Sequence, residues 1–127
     1  MLLLVKANLL AVGTGNITGL LEKLPIVITE QESGILAVRS LKNSQIDGVI
    51  SKWDLPDMPD GLFLRNLRIA RPNIGTIALI EESNQEQEIS ARMIGVNAVI
   101  TESVSYEYLN AIIAQILKIE KFAAIEV

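Results

Sequence analysis

Five short apolar runs recur along this chain, at Met1 to Val5, Pro25 to Thr29, Ile46 to Ser51, Gly75 to Ile80 and Asn97 to Thr101, each followed by a stretch long enough for a helix. That alternation constrains the fold more than any single residue does. Runs without polar alternation are what strands buried on both faces look like, the condition of a parallel sheet covered by helices. Five strands alternating with five helices predict an α/β sandwich with a doubly wound parallel sheet. The right-handed crossover rule leaves few topologies, of which strand order 2-1-3-4-5 suits a chain of 127 residues. Ligands then bind outside the carboxyl ends of the first and third strands, where this reading places Lys6 and Lys52.

The helices carry their own signals. Leu109, Ile112, Ile113, Ile116 and Leu117 share one face of a fifth helix beginning near Ser105. Ser83 and Glu86 have the spacing of a capping box for the fourth helix, and Gly95 is placed to end it in a left-handed conformation. The second helix is expected from about Glu32 to Asn43, and the third from about Gly61 to Ala70, before Pro72. The first is the weakest, because Gly13, Gly15 and Gly19 each cost up to about 1 kcal/mol relative to alanine inside a helix. Residues 1–120 are expected to form one domain, and 121–127 a tail or linker that extends the last helix or leads away from it.

Cysteine and histidine are both absent. Their absence removes disulfides, thiolate and imidazole metal sites, thiol nucleophiles and the commonest general base. A net charge of -4 disfavours nonspecific binding to nucleic acid or anionic membranes, which needs a basic surface. No apolar stretch approaches the roughly 20 residues that span a bilayer, so a cytoplasmic protein is expected.

The run Ile46-Asp47-Gly48-Val49-Ile50-Ser51-Lys52 breaks into Trp53-Asp54-Leu55-Pro56-Asp57-Met58, with Gly61 behind it, and Ile94-Gly95-Val96-Asn97 precedes the last strand. In these motifs, their order and their spacing, the chain resembles the receiver domain of bacterial two-component response regulators, a flavodoxin-like fold. The resemblance covers nearly the whole chain. It implies a magnesium ion held by an acidic pair after the first strand, and a phosphorylated aspartate ending the third. It also implies a hydroxyl residue ending the fourth strand, a lysine after the fifth, and an aromatic residue that moves on phosphorylation.

Aligned on those motifs, the acidic pair becomes Lys6 and Ala7, the acceptor Lys52, the hydroxyl Ile80, the lysine Glu102 and the aromatic Val99. Every functional position is replaced. An ammonium repels a hard dication and offers no carboxylate for an aspartyl phosphate. The resemblance is thus to a pseudo-receiver with no catalytic residue, metal or cofactor, acting on another signalling protein, an output domain or a second copy through the fourth helix, fifth strand and fifth helix. Lys52 and Glu102 either form the family's ion pair with its signs exchanged, or both reach solvent.

A second reading gives Lys6, Lys52 and the backbone amides of Gly13 to Gly15 to an anion or nucleotide, since glycine-rich loops cradle anions. The spacing matches neither the dinucleotide fingerprint nor the P-loop, and close packing explains the glycines as well. Asp54, Asp57 and Asp60 read as a solvated turn. Glu81, Glu82, Glu86 and Glu88 read as complements to a helix dipole, and Tyr106 and Tyr108 as half-buried packing.

Overall fold

The computed structural model describes residues 2–4, 6–21, 24–118 and 124–126. In chain order the strands are β1 (Leu2–Leu4), β2 (Ala7–Val12), β3 (Ile26–Gln31), β4 (Gly48–Lys52), β5 (Gly75–Leu79), β6 (Ala98–Ile100) and β7 (Ala124–Glu126). A 3₁₀ helix (Gly15–Leu21) follows β2, and the α-helices are α1 (Gly34–Asn43), α2 (Leu62–Ala70), α3 (Gln85–Met93) and α4 (Tyr106–Ile116). The main sheet is parallel, in the order β3-β2-β4-β5-β6. Counted within that sheet the order is 2-1-3-4-5, as expected.

The first strand is a correction. The strand that enters the sheet is β2, while Leu2–Leu4 pairs antiparallel with β7. Met1 and Val5 lie outside the described residues. The physical reason is burial: Leu9, Leu10, Ala11 and Val12 are sealed between the two helical layers. Asn8, which interrupts the apolar pattern, is satisfied at the strand's start. Its N–H donates to Asp47 Oδ2 at 2.7 Å and its carbonyl accepts from the Asp47 N–H at 2.8 Å.

Starting the sheet at Ala7 leaves little chain before β3. The crossover is therefore the 3₁₀ helix, longer than the three or four residues usual for that form. Ile17 and Leu21 bury its inner side, and Asn110 of α4 donates to the Leu20 carbonyl at 2.8 Å, tying the two elements together.

One core fills the space between the sheet and α1, α2 and α3, around Leu10, Val49, Trp53, Phe63, Leu64 and Ala91. The other lies under the 3₁₀ helix and α4, around Leu9, Ile50, Ile77, Leu109 and Ile113. Helix α3 starts one residue later than the capping box implied. Asn84, not Ser83, caps it, its Oδ1 accepting from the Gln87 N–H at 3.0 Å, and Ser83 takes a left-handed φ of 59°. Gly95 is left-handed as expected, with φ 87°. Of the tail at 121–127, the described part, Ala124–Glu126, is a strand and does not continue α4; the remainder lies outside the described residues. Among the described residues no helix is long and apolar enough to cross a membrane.

Candidate functional site

The carboxyl ends of β2, β4, β5 and β6 lie along one rim of the sheet, and a cavity of about 170 Å³ opens where β4, β5 and β6 end. Its wall carries Lys52, Asp54, Glu81, Glu82, Gln87 and Glu102. Backbone pairing runs on past the strands and fixes this rim. Trp53 N–H donates to the Leu79 carbonyl at 2.8 Å, and Ile80 N–H to the Ile100 carbonyl at 2.9 Å.

Lys52 ends β4, the position expected for it, and its side chain is exposed. Lys6 is a correction. It precedes β2 at the amino end of the sheet, six residues before Val12, hence about 20 Å from the rim at strand rise. Ala7 starts β2 and is equally remote. Val12 pairs with Ser51, so the residues that follow β2 at the rim are Gly13 and Thr14. Neither has a carboxylate. Gly13 takes a φ of 65°, and a Cβ there would stand 2.9 Å from Leu55 Cδ2 and 3.4 Å from Lys52 Cβ, so the turn needs glycine.

Ile80 and Val99 turn inward, packing in the core shared with α1, α2 and α3. Ile80 thus places a buried hydrocarbon at the end of β5. Glu102 lies exposed after β6. Lys52 and Glu102 share the cavity wall without an ion pair; among the described residues the one pair within 4.0 Å is Arg92 with Glu88.

The expected cationic mouth is therefore one ammonium among four carboxylates, and it does not combine Lys6, Gly13, Gly15 and Lys52 into an anion site. Nor does the donor set fit a magnesium ion. Gly13 and Thr14 offer no acidic pair, an ammonium stands at the acceptor position, and no three acidic side chains among the described residues are grouped to hold a metal.

Two of these carboxylates, Asp54 and Glu82, hold loops in place. Asp54 accepts from the Asp60 N–H through Oδ1 and from Gln87 Nε2 through Oδ2 at 3.1 Å. Gln87 Oε1 in turn accepts from the Glu81 N–H at 2.9 Å. Glu82 accepts from the Ser103 N–H at 2.9 Å, and the hydroxyls of Ser103 and then Thr101, with that N–H, hold its carboxyl below the ordinary value. The loops after β4, β5 and β6 are thereby bonded to one another.

Asp57 is more than a solvated turn residue. Its two oxygens accept from the Gly34 N–H at 2.8 Å and the Ile35 N–H at 2.9 Å, satisfying two open donors at the start of α1. Those bonds, Gly34's first, lower its carboxyl below the ordinary value. Gln87, Ser103 and the bonding roles of Asp57 and Glu82 escaped sequence reasoning. The available signal was the run Asp57-Met58-Pro59-Asp60-Gly61, whose turn folds back under Trp53. Gly61, with φ 73°, donates its N–H to the Trp53 carbonyl at 3.0 Å, and a Cβ there would lie inside the Trp53 ring's contact distance.

These rims and loops belong to a recognisable kind of fold, the CheY-like receiver fold. No protein-family model matches the sequence, and no curated protein matches it. Solved structures do. The chain is similar to the signal receiver domain of an HD domain-containing protein from Pseudomonas fluorescens Pf-5, at 20% identity and a TM-score of 0.80, over 90% of this chain and 96% of that one. It is similar to a response regulator receiver domain protein from Clostridium thermocellum at 22% identity and a TM-score of 0.78, over 91% and 98%. A third likeness is the receiver domain of a sensor histidine kinase from Pseudomonas aeruginosa PAO1, at 21% identity and a TM-score of 0.76, over 90% and 99%. That protein holds a magnesium ion in its active-site cleft.

Proposed function

We propose that this chain is a receiver-like signalling module that has lost the phosphorelay step and regulates, in a two-component or related pathway, by binding another signalling protein, an output domain or a second copy of itself. The observation that carries the reading is Lys52 at the end of β4, where the resemblance implies the phosphorylated aspartate. Three further features support it. Gly13 and Thr14 stand in place of the acidic pair, Ile80 is buried where a hydroxyl is implied, and the surrounding loops are bonded to one another. A lysine cannot form an acyl phosphate, so the chemistry of the fold neighbours has no acceptor at this position.

The decisive experiment is incubation with a small phosphodonor and magnesium, followed by intact-mass measurement. No adduct is expected. A stoichiometric, acid-stable and base-labile phosphoryl adduct would overturn the reading. The partner face implied by the resemblance comprises α3, β6 and α4, where Ile89, Met93 and Tyr108 are 58%, 82% and 55% exposed. Self-association through it predicts a concentration-dependent mass in light scattering that Met93→Glu abolishes, because charge at an apolar contact is costly to desolvate. A module of this kind works in the cytoplasm and needs no metal or cofactor.

A further inference from the structure

Other cationic side chains gather at a second place in the fold. Behind the edge strand β6, between the ends of α2 and α3 and one side of α4, lies a groove of about 550 Å³ whose wall includes Arg68, Arg92 and Lys118 and, among the described residues, no carboxylate. In a chain of net charge -4 that is a concentrated positive feature.

Its donors are set in advance. Arg68 is pinned by its own bonds, Nε to the Ile94 carbonyl at 3.4 Å and Nη1 to the Pro72 carbonyl at 2.8 Å, which leaves Nη2 without a partner among the described residues. Asn97 spends Oδ1 on the Thr76 N–H at 2.8 Å, so its Nδ2 is left to donate. Arg92 pairs through Nε with Glu88 at 3.2 Å, a residue that does not line the groove. The facing wall is different in kind: Tyr108, Ile112 and Ile116 of α4 make it apolar and partly aromatic. One side suits an anion and the other a flat or apolar body, in a volume typical of small-molecule sites.

We infer that this groove binds a small phosphorylated organic molecule of nucleoside-monophosphate type, its phosphoryl group on Arg68, Arg92 and Lys118 and its ring against Tyr108 and Ile112. The inference does not depend on the fate of Lys52, which lies on the opposite rim of the sheet.

Titration calorimetry and thermal unfolding of the whole chain test it, with AMP, inorganic phosphate and adenosine as separate probes. AMP should bind saturably and raise the unfolding temperature, at least about tenfold tighter than either phosphate or adenosine alone, and more weakly as salt rises. Lys118→Gln, at an exposed side chain with no partner among the described residues, should weaken AMP about tenfold while leaving unfolding without ligand unchanged. Tyr108→Ala should weaken AMP and leave phosphate untouched. Phosphate binding as tightly as AMP would remove the organic body from the proposal, and adenosine binding as tightly would remove the anion. AMP binding that is absent at millimolar concentration, or lost in Lys52→Gln and kept in Lys118→Gln, overturns the groove as the site.

Discussion

On the proposed reading Lys52 stands where the resemblance implies an aspartate, and a carboxylate placed there is not expected by itself to restore phosphorylation. The metal that makes an aspartate reactive toward a phosphodonor needs acidic ligands, and Gly13 and Thr14 supply none beside β4. Lys52→Asp is therefore expected to remain unmodified after incubation with phosphodonor and magnesium, as judged by intact mass. A phosphoryl adduct on that variant would mean that Asp54 or Glu81 can serve in place of the missing pair. Trp53, beside it, is a packing residue, 2% exposed, with the Arg65 guanidinium 5.5 Å from its ring centroid. Truncating so large a buried side chain costs about 3–5 kcal/mol, so Trp53→Ala should unfold at markedly lower urea. Gly61→Ala presses a methyl against the same ring at a left-handed φ of 73°, and should cost about 1–3 kcal/mol from backbone strain alone.

Among the elements, acidity acts where loops are tied by carboxylates. Asp57 and Glu82 both titrate below their ordinary values in the folded chain, so near those values the unfolded chain binds more protons than the folded one. Their stabilising effect is complete above the ordinary carboxylate range and is lost as pH falls through the lower folded values. The urea midpoint should fall from pH 7 toward pH 3, and Asp57→Asn should remove part of that slope. Parallel curves for the two proteins would detach Asp57 from acid stability.

Element by element, what sequence could convey depended on how far each signal was local. The strands from β3 to β6 and the α-helices were legible because uninterrupted apolar runs and a clear helical period are local properties. Met1 to Val5 misled because it is the more uniform run, whereas β2 carries Asn8, whose acceptability depends on Asp47 thirty-nine residues away. That one displacement sent Lys6 and Ala7 to the wrong end of the sheet. Gly13 was noticed for its flexibility, but its place beside Lys52 follows only from the pairing of Val12 with Ser51. Bonds such as Glu82 to Ser103 join loops distant in sequence, and no short motif encodes them.

Across the whole molecule, the sheet separates two ends with opposite character. The rim at the strand carboxyl ends holds one lysine among acids, whereas the described wall of the groove behind β6 carries two arginines and a lysine and no carboxylate. The functional positions that the resemblance implies by alignment belong to the first end, and the groove became visible only when helices distant in sequence were brought side by side. Asp57 ties the loop after β4 to the start of α1, whose first turn begins on its carboxylate. Should anything pull the segment after β4 out of place, Gly34 and Ile35 would lose their acceptors together. Solvent exchange of those two protons is thus a built-in gauge, letting a spectroscopist read displacement at one site from a helix that never touches whatever caused it.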